Sequence, residues 1–145
     1  MATREEEAQQ WQDISRNSRK AAQRLLDLEC YRSSVSRAYY AAYAAVTSEL
    51  VARGLLFAQA RSNPDHAGLP AYVLNNLGTL AQTTRFDINR AIRRLYALRI
   101  DADYVAEATL DRAMALSALH DLGRVFIGLG LENKRGRDGN KNSTA

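Results

Sequence analysis

Three groups of side chains in this sequence have the types and spacing to act on a charged substrate. Arg99, Asp103 and Tyr104 stand together in the segment RIDADY. Arg99 keeps its charge at any relevant pH and can hold a phosphate, while the neutral Tyr104 hydroxyl can donate a hydrogen bond. Tyrosine is a poor base: with a reference pKa near 10, only about 0.1% is ionised at pH 7, whereas histidine titrates in range. Arg90, Arg93 and Arg94 belong to a stretch, 85–99, that holds five arginines against one acid, Asp87, and form a candidate RNA-binding face. Finally, Arg61 and His66 are separated by four residues, and the other histidine, His120, precedes Arg124 by one helical turn.

Each group has a plainer reading. Arg99 and Asp103 are four apart and form an ordinary ion pair on a helix, and Asp101 or Asp103 caps the helix that follows. The five-residue offset of Arg99 and Tyr104 separates them by about 140° around a helix, so they are expected to pair across a two-fold interface rather than within one straight helix. Pro64 lies between Arg61 and His66, which marks a loop; His66 is expected to open the third helix, with a catalytic Arg61 and His66 pair as the lesser alternative. His120 is expected to be a partly buried structural residue. Tyr39, Tyr40 and Tyr43, at helical spacing among alanines, are expected to pack in the core with their hydroxyls at the surface, and base stacking is the alternative. For Arg90, Arg93 and Arg94, phosphate contact and a simple solvated face stand as equal alternatives. There is no glycine-rich phosphate loop, no paired Cys/His set and no di-metal carboxylate pattern, so neither metal nor cofactor is expected.

The elements that must position these residues read as helices throughout. Prolines occur only at Pro64 and Pro70, and long alanine- and leucine-rich stretches lie between the breakers. Helical periodicity predicts helices over about 5–29, 33–53, 70–80, 87–98 and 101–128. Ile14, Leu25 and Leu28 belong to the expected apolar stripe of the first. The second carries Ala38, Ala41, Ala42, Ala44 and Ala45, which let a neighbouring helix approach closely, and makes this element the expected centre of the bundle. A single helical domain, 1–131, is expected to end in a disordered polar tail, 132–145, reading ENKRGRDGNKNSTA.

At 145 residues and 46% hydrophobic composition, the chain suits one domain with an ordinary core. Its net charge of +4 is a mild basic bias, compatible with nucleic acid but common among soluble domains. The single cysteine, Cys30, excludes an internal disulfide, and the opening MATREEEAQQ is polar and acidic rather than leader-like. With no window approaching the roughly 18 apolar residues of a membrane span, a soluble cytoplasmic protein without membrane contact is expected.

Several of these segments form one pattern. RAYY stands at 37–40, Tyr43 takes a place usually held by Phe, His66 opens HAGLPAYVLNNLG, and Arg99, Ala102, Asp103 and Tyr104 supply RxxADY. Over residues 21–129 the chain resembles the HEPN family of small prokaryotic helical domains, in the subgroup with RAYYA and RxxADY motifs. The resemblance implies an all-α, compact up-and-down bundle of about five helices that forms a homodimer. It also implies an RNA-directed protein: many members are metal-independent endoribonucleases in which an arginine stabilises the scissile phosphate and a histidine four to six residues later handles protons. Here Tyr104 occupies the histidine's slot, so Arg99, Tyr104 and Asp103 are the expected catalytic group, with His66 and His120 dispensable. A toxin–antitoxin or defence module with a small nucleotidyltransferase partner is the implied setting. The alternative is a non-catalytic subunit that binds nucleotide or RNA, or docks on that nucleotidyltransferase.

Overall fold

A reciprocal cap starts the first helix. The Glu6 amide donates to Thr3 Oγ1 at 3.1 Å and the Thr3 amide donates back to Glu6 Oε2 at 2.8 Å, while Glu5, Glu6 and Glu7 sit at the positive end of the helix dipole. The computed structural model describes residues 2–57 and 63–133. Among these residues there are five helices, α1 Arg4–Asp27, α2 Tyr31–Ala52, α3 Leu69–Asn76, α4 Gln82–Tyr104 and α5 Arg112–Gly128, and no strand. The all-α bundle expected from sequence is therefore the observed architecture. No helix of the described residues is long and apolar enough to cross a membrane.

The core is organised around α2, which packs against α1, α4 and α5 and is buried at every position from 41 to 48. Its alanines allow α1 to lie close, and serines on both helices close the seam. Ser15 Oγ donates to the Ala41 carbonyl at 2.6 Å, Ser34 Oγ to Ala22 at 2.8 Å and Ser48 Oγ to Ala8 at 2.7 Å. Each such bond contributes about 1 kcal/mol net, and more would be lost by leaving a buried hydroxyl unpaired. This seam corrects the expected stripe of α1: Ile14 is 45% exposed, whereas Gln12, Ser15 and Ser18 are buried. A face pressed against alanines has room for small side chains, so polarity there is a poor guide to exposure. At the far side, α4 and α5 come close enough that a Cβ on Gly128 would stand 2.8 Å from Ile88 Cγ1.

The largest departure from the sequence reading is at α4. It runs Gln82–Tyr104, so the segment 99–104 ends the fourth helix rather than beginning the last. The cause is tertiary. The Arg32 guanidinium, from the first turn of α2, donates to the carbonyls of Asp101 (3.3 Å), Ala102 (3.0 Å), Val105 (3.1 Å), Ala106 (3.0 Å) and Ala108. It thus satisfies acceptors that a helix end leaves without partners. The cap of the final helix is Asp111, whose carboxylate accepts from the Met114 amide at 2.9 Å, and not Asp101 or Asp103. The third helix is also shorter than expected, ending at Asn76. Of the expected disordered tail, Glu132 is paired with Arg19 at 2.9 Å, and residues 134–145 lie outside the described residues, as does Arg61.

Candidate functional site

Helical spacing on α2 brings Ser36, Tyr39, Tyr40 and Tyr43 onto neighbouring turns of one side. The last turns of α4 bring Tyr96, Arg99 and Asp103 to the same place, with Tyr104 as the final helical residue. His66, in the turn just before α3, completes the group.

Arg99 is its centre. Nε donates to Asp103 Oδ2 at 3.0 Å and Nη2 to the Tyr104 hydroxyl at 3.3 Å. The guanidinium lies 5.2, 5.6 and 5.8 Å from the ring centroids of Tyr104, Tyr39 and Tyr40, within the range of cation–π attraction. Asp103 Oδ2 also accepts from Ser36 Oγ at 3.1 Å, so the carboxylate that aims Arg99 is itself held by α2. Burial opposes the charge on Arg99, but Tyr104, Asp103 and Tyr40 outweigh it, and its pKa rises above the ordinary value. Arg99 is a fixed positive charge whose side chain is only 11% exposed.

Arg99 and Tyr104 thus meet within one chain, which corrects the expectation that they pair only across a two-fold axis. The 140° separation describes where side chains leave the helix. A long guanidinium stem and a phenol on the terminal residue reach round the helix end. The ordinary Arg99 and Asp103 ion pair is present as expected.

His66 is the residue that sequence reasoning set aside and the fold brings in. Its Nδ1 is 2.7 Å from the Tyr39 hydroxyl, and its ring lies 4.4 Å, centroid to centroid, from Tyr43. Burial, with the Arg99 charge next and Asp65 opposing, holds the imidazole pKa below its usual value, so His66 is neutral at pH 7. Burial also pushes the Tyr39 phenol well above its ordinary range, with Arg99 only partly opposing. Tyr39 therefore keeps its proton, and its hydroxyl and Nδ1 of the neutral His66 ring share one hydrogen bond. Tyr39 and Tyr43 pack in the core as expected, with Tyr40 half-buried against it, but two of the hydroxyls are not at the surface: that of Tyr39 meets His66, and that of Tyr43 donates to the Pro64 carbonyl and accepts from Asn63 Nδ2 at 2.7 Å. Tyr104, 68% exposed, is the ring a ligand can reach.

The other sequence candidates fall elsewhere. Arg94 makes a bidentate pair with buried Asp121 at 3.0 and 2.8 Å, which fastens α4 to α5. Arg90 bonds Asp87 on its own helix, and Arg93 is exposed. His120 is exposed rather than partly buried. Ser36, Tyr96 and Arg32, all structurally tied to the site, carry no local sequence signal; they are recognisable only once α2 and α4 are packed together.

The HEPN domain model covers residues 8–127. The chain belongs to the HEPN family. HEPN membership points to an RNA-related, nuclease-type role. No curated protein matches the chain significantly.

Proposed function

We propose that this HEPN protein acts on RNA through the Arg99 site, cleaving the phosphodiester backbone without a metal ion. The observation that carries the reading is the Arg99 guanidinium, permanently charged and fixed by Asp103, with the Tyr104 hydroxyl at 3.3 Å and Tyr39-backed His66 beside it. Charge that develops on phosphate oxygens in the transition state is stabilised most by donors already in place, and removing one such donor costs about 10²–10³ in rate. Arg99 supplies that charge and Tyr104 a neutral donor; the ribose 2′-hydroxyl attacks phosphorus and passes its proton to water, the 5′-oxygen leaves taking a proton from water, and neutral His66 contributes a hydrogen bond. Asp103 orients Arg99 and does not touch the substrate. Arg90, Arg93 and Arg94 remain a secondary RNA-contact proposal, with Arg93 the most available of the three.

Arg99→Ala is expected to lower RNA cleavage by about 10²–10³, with wild-type activity unchanged by a chelator. Tyr104→Phe and His66→Gln should each give smaller losses with helicity retained. Activity undiminished in Arg99→Ala would falsify the assignment.

One observation favours a second reading. With Asp103 engaged by Arg99 and Ser36, and His66 Nδ1 tied to the Tyr39 hydroxyl, no unengaged carboxylate stands beside Arg99 among the described residues to act as a base. In that reading the protein is a non-catalytic RNA- or nucleotide-binding subunit. Either version fits a homodimer in a toxin–antitoxin or defence module, with a small nucleotidyltransferase docking at exposed Tyr104. Light scattering on the pure protein and co-elution with a nucleotidyltransferase encoded beside it test those two points.

A further inference from the structure

Away from Arg99, α1 and α5 diverge to leave an open groove of about 1050 Å³. None of the Arg99-site residues lines it. Its walls are two facing ridges at i, i+4, i+8 spacing: Arg16, Lys20 and Arg24 on α1, and Arg112, Leu116 and His120 on α5. Over that spacing the three α1 cations span about 12 Å along the helix. Their side chains and that of Arg112 make no ion pair or hydrogen bond among the described residues, and all four are exposed. Arg19 lies in the same groove, engaged with Glu132 and stacked 4.6 Å over the Phe126 ring, and Asp27 is the one carboxylate in the lining.

We infer that this groove binds the phosphodiester backbone of single-stranded RNA, as a second contact surface for the substrate assigned to the Arg99 site. The inference rests on that RNA-directed reading and adds a second surface for the same class of substrate. Charge decides the occupant. Cations with no side-chain partner among the described residues, set at regular intervals along an open trough, match a polyanion, and phosphate contacts require no base-specific groups. A second copy of this chain is disfavoured, because apposing two such grooves would bring the same cations face to face.

The test is binding of a fluorescent RNA of on the order of 12 nucleotides, a length in the usual single-strand site range, measured across a salt series. Three phosphate contacts contribute a log–log salt slope of about −2, or roughly a twentyfold change in affinity between 50 and 200 mM salt. The triple variant Arg16→Gln, Lys20→Gln, Arg24→Gln should lose that part of the slope, and Arg112→Gln alone should lose about 0.7. Arg99→Ala, run in parallel, should lose cleavage while keeping the groove's share of the slope. A slope unaltered in both groove variants overturns the groove while leaving the Arg99 reading intact. A slope lost only in Arg99→Ala moves the contact to that site and also overturns it. Displacement of RNA from the wild type by an acidic helical peptide of equal charge, at lower concentration than by unlabelled RNA, reassigns the groove to a protein partner and overturns it too.

Discussion

Arg99 and Arg24 are the same residue type on two helices of one bundle, and their surroundings make them different devices. Arg99 is held by Asp103, two hydrogen bonds and three aromatic rings, so its position is fixed before any ligand arrives. Arg24, with Arg16 and Lys20, stands in an open groove with no side-chain partner among the described residues. Fixed charge suits chemistry, because the donor needs no reorganisation when the transition state forms. Unpaired charge suits capture, since a phosphate gains its full attraction without first breaking an internal pair. A run of arginines in a sequence therefore does not reveal how much charge is available: the dense run on α4 is largely consumed internally, and the sparser one on α1 is not.

The strongest way to break this contrast is to attack the pair that consumes Arg94. Asp121 is 5% exposed at its side chain and the Arg94 guanidinium 46%. Removing the arginine strands a buried carboxylate, while removing the carboxylate leaves a guanidinium that water can reach. Arg94→Ala is expected to destabilise by about 2 kcal/mol, less than the 3–5 kcal/mol of a fully buried pair because one partner is half exposed, and Asp121→Asn by about 1 kcal/mol. Urea unfolding measures both. Equal losses would mean that the α4–α5 seam does not depend on a buried charge, and Arg94 would return to the pool of available cations.

A smaller effect concerns His66. Its folded pKa lies below the usual value because burial and the Arg99 charge disfavour the imidazolium. The unfolded chain thus binds more protons, and stability must rise with pH across the window between the folded pKa and about 6.5. This contribution is fully present above about pH 6.5 and is lost as acid protonates the ring. His66→Gln should flatten that part of the stability curve, as read from thermal midpoints between pH 5 and 7. A flattening by His120→Gln instead would place the pH response on α5 and detach His66 from the Arg99 site.

How much of this was legible follows from which contacts are local. α2 could be read from its alanines and tyrosines, because a helix buried on nearly every side shows its packing in its own composition. The Arg99 and Asp103 pair was legible for the same reason, being one turn of one helix. The end of α4 was not, since its carbonyls are satisfied by Arg32, about seventy residues earlier in the chain. The position of His66 was not legible on similar grounds: Pro64 correctly marks a loop, but no periodicity reveals that this loop folds back on Tyr39. The groove cations sit at 16, 20 and 24, visible as a stripe, yet only the fold shows that their side chains have no partner among the described residues.

The smallest expected effect is the sharpest check on that last distinction. Arg90 bonds Asp87 at 2.5 Å, but both side chains are more than half exposed, at 65% and 59%. Exposed pairs three residues apart on a helix contribute only about 0.2–0.5 kcal/mol, so Arg90→Ala should barely shift the urea midpoint. It should also leave the RNA salt slope almost unchanged, because an arginine already engaged by Asp87 has no phosphate contact to lose. Asp87→Asn is the complementary variant: it releases Arg90, and if pairing is what keeps α4 out of RNA contact, the slope should steepen by up to about 0.7. A steep loss in Arg90→Ala, with no gain in Asp87→Asn, would show that a paired exposed arginine attracts phosphate as well as a free one, and the division between the two helices would collapse.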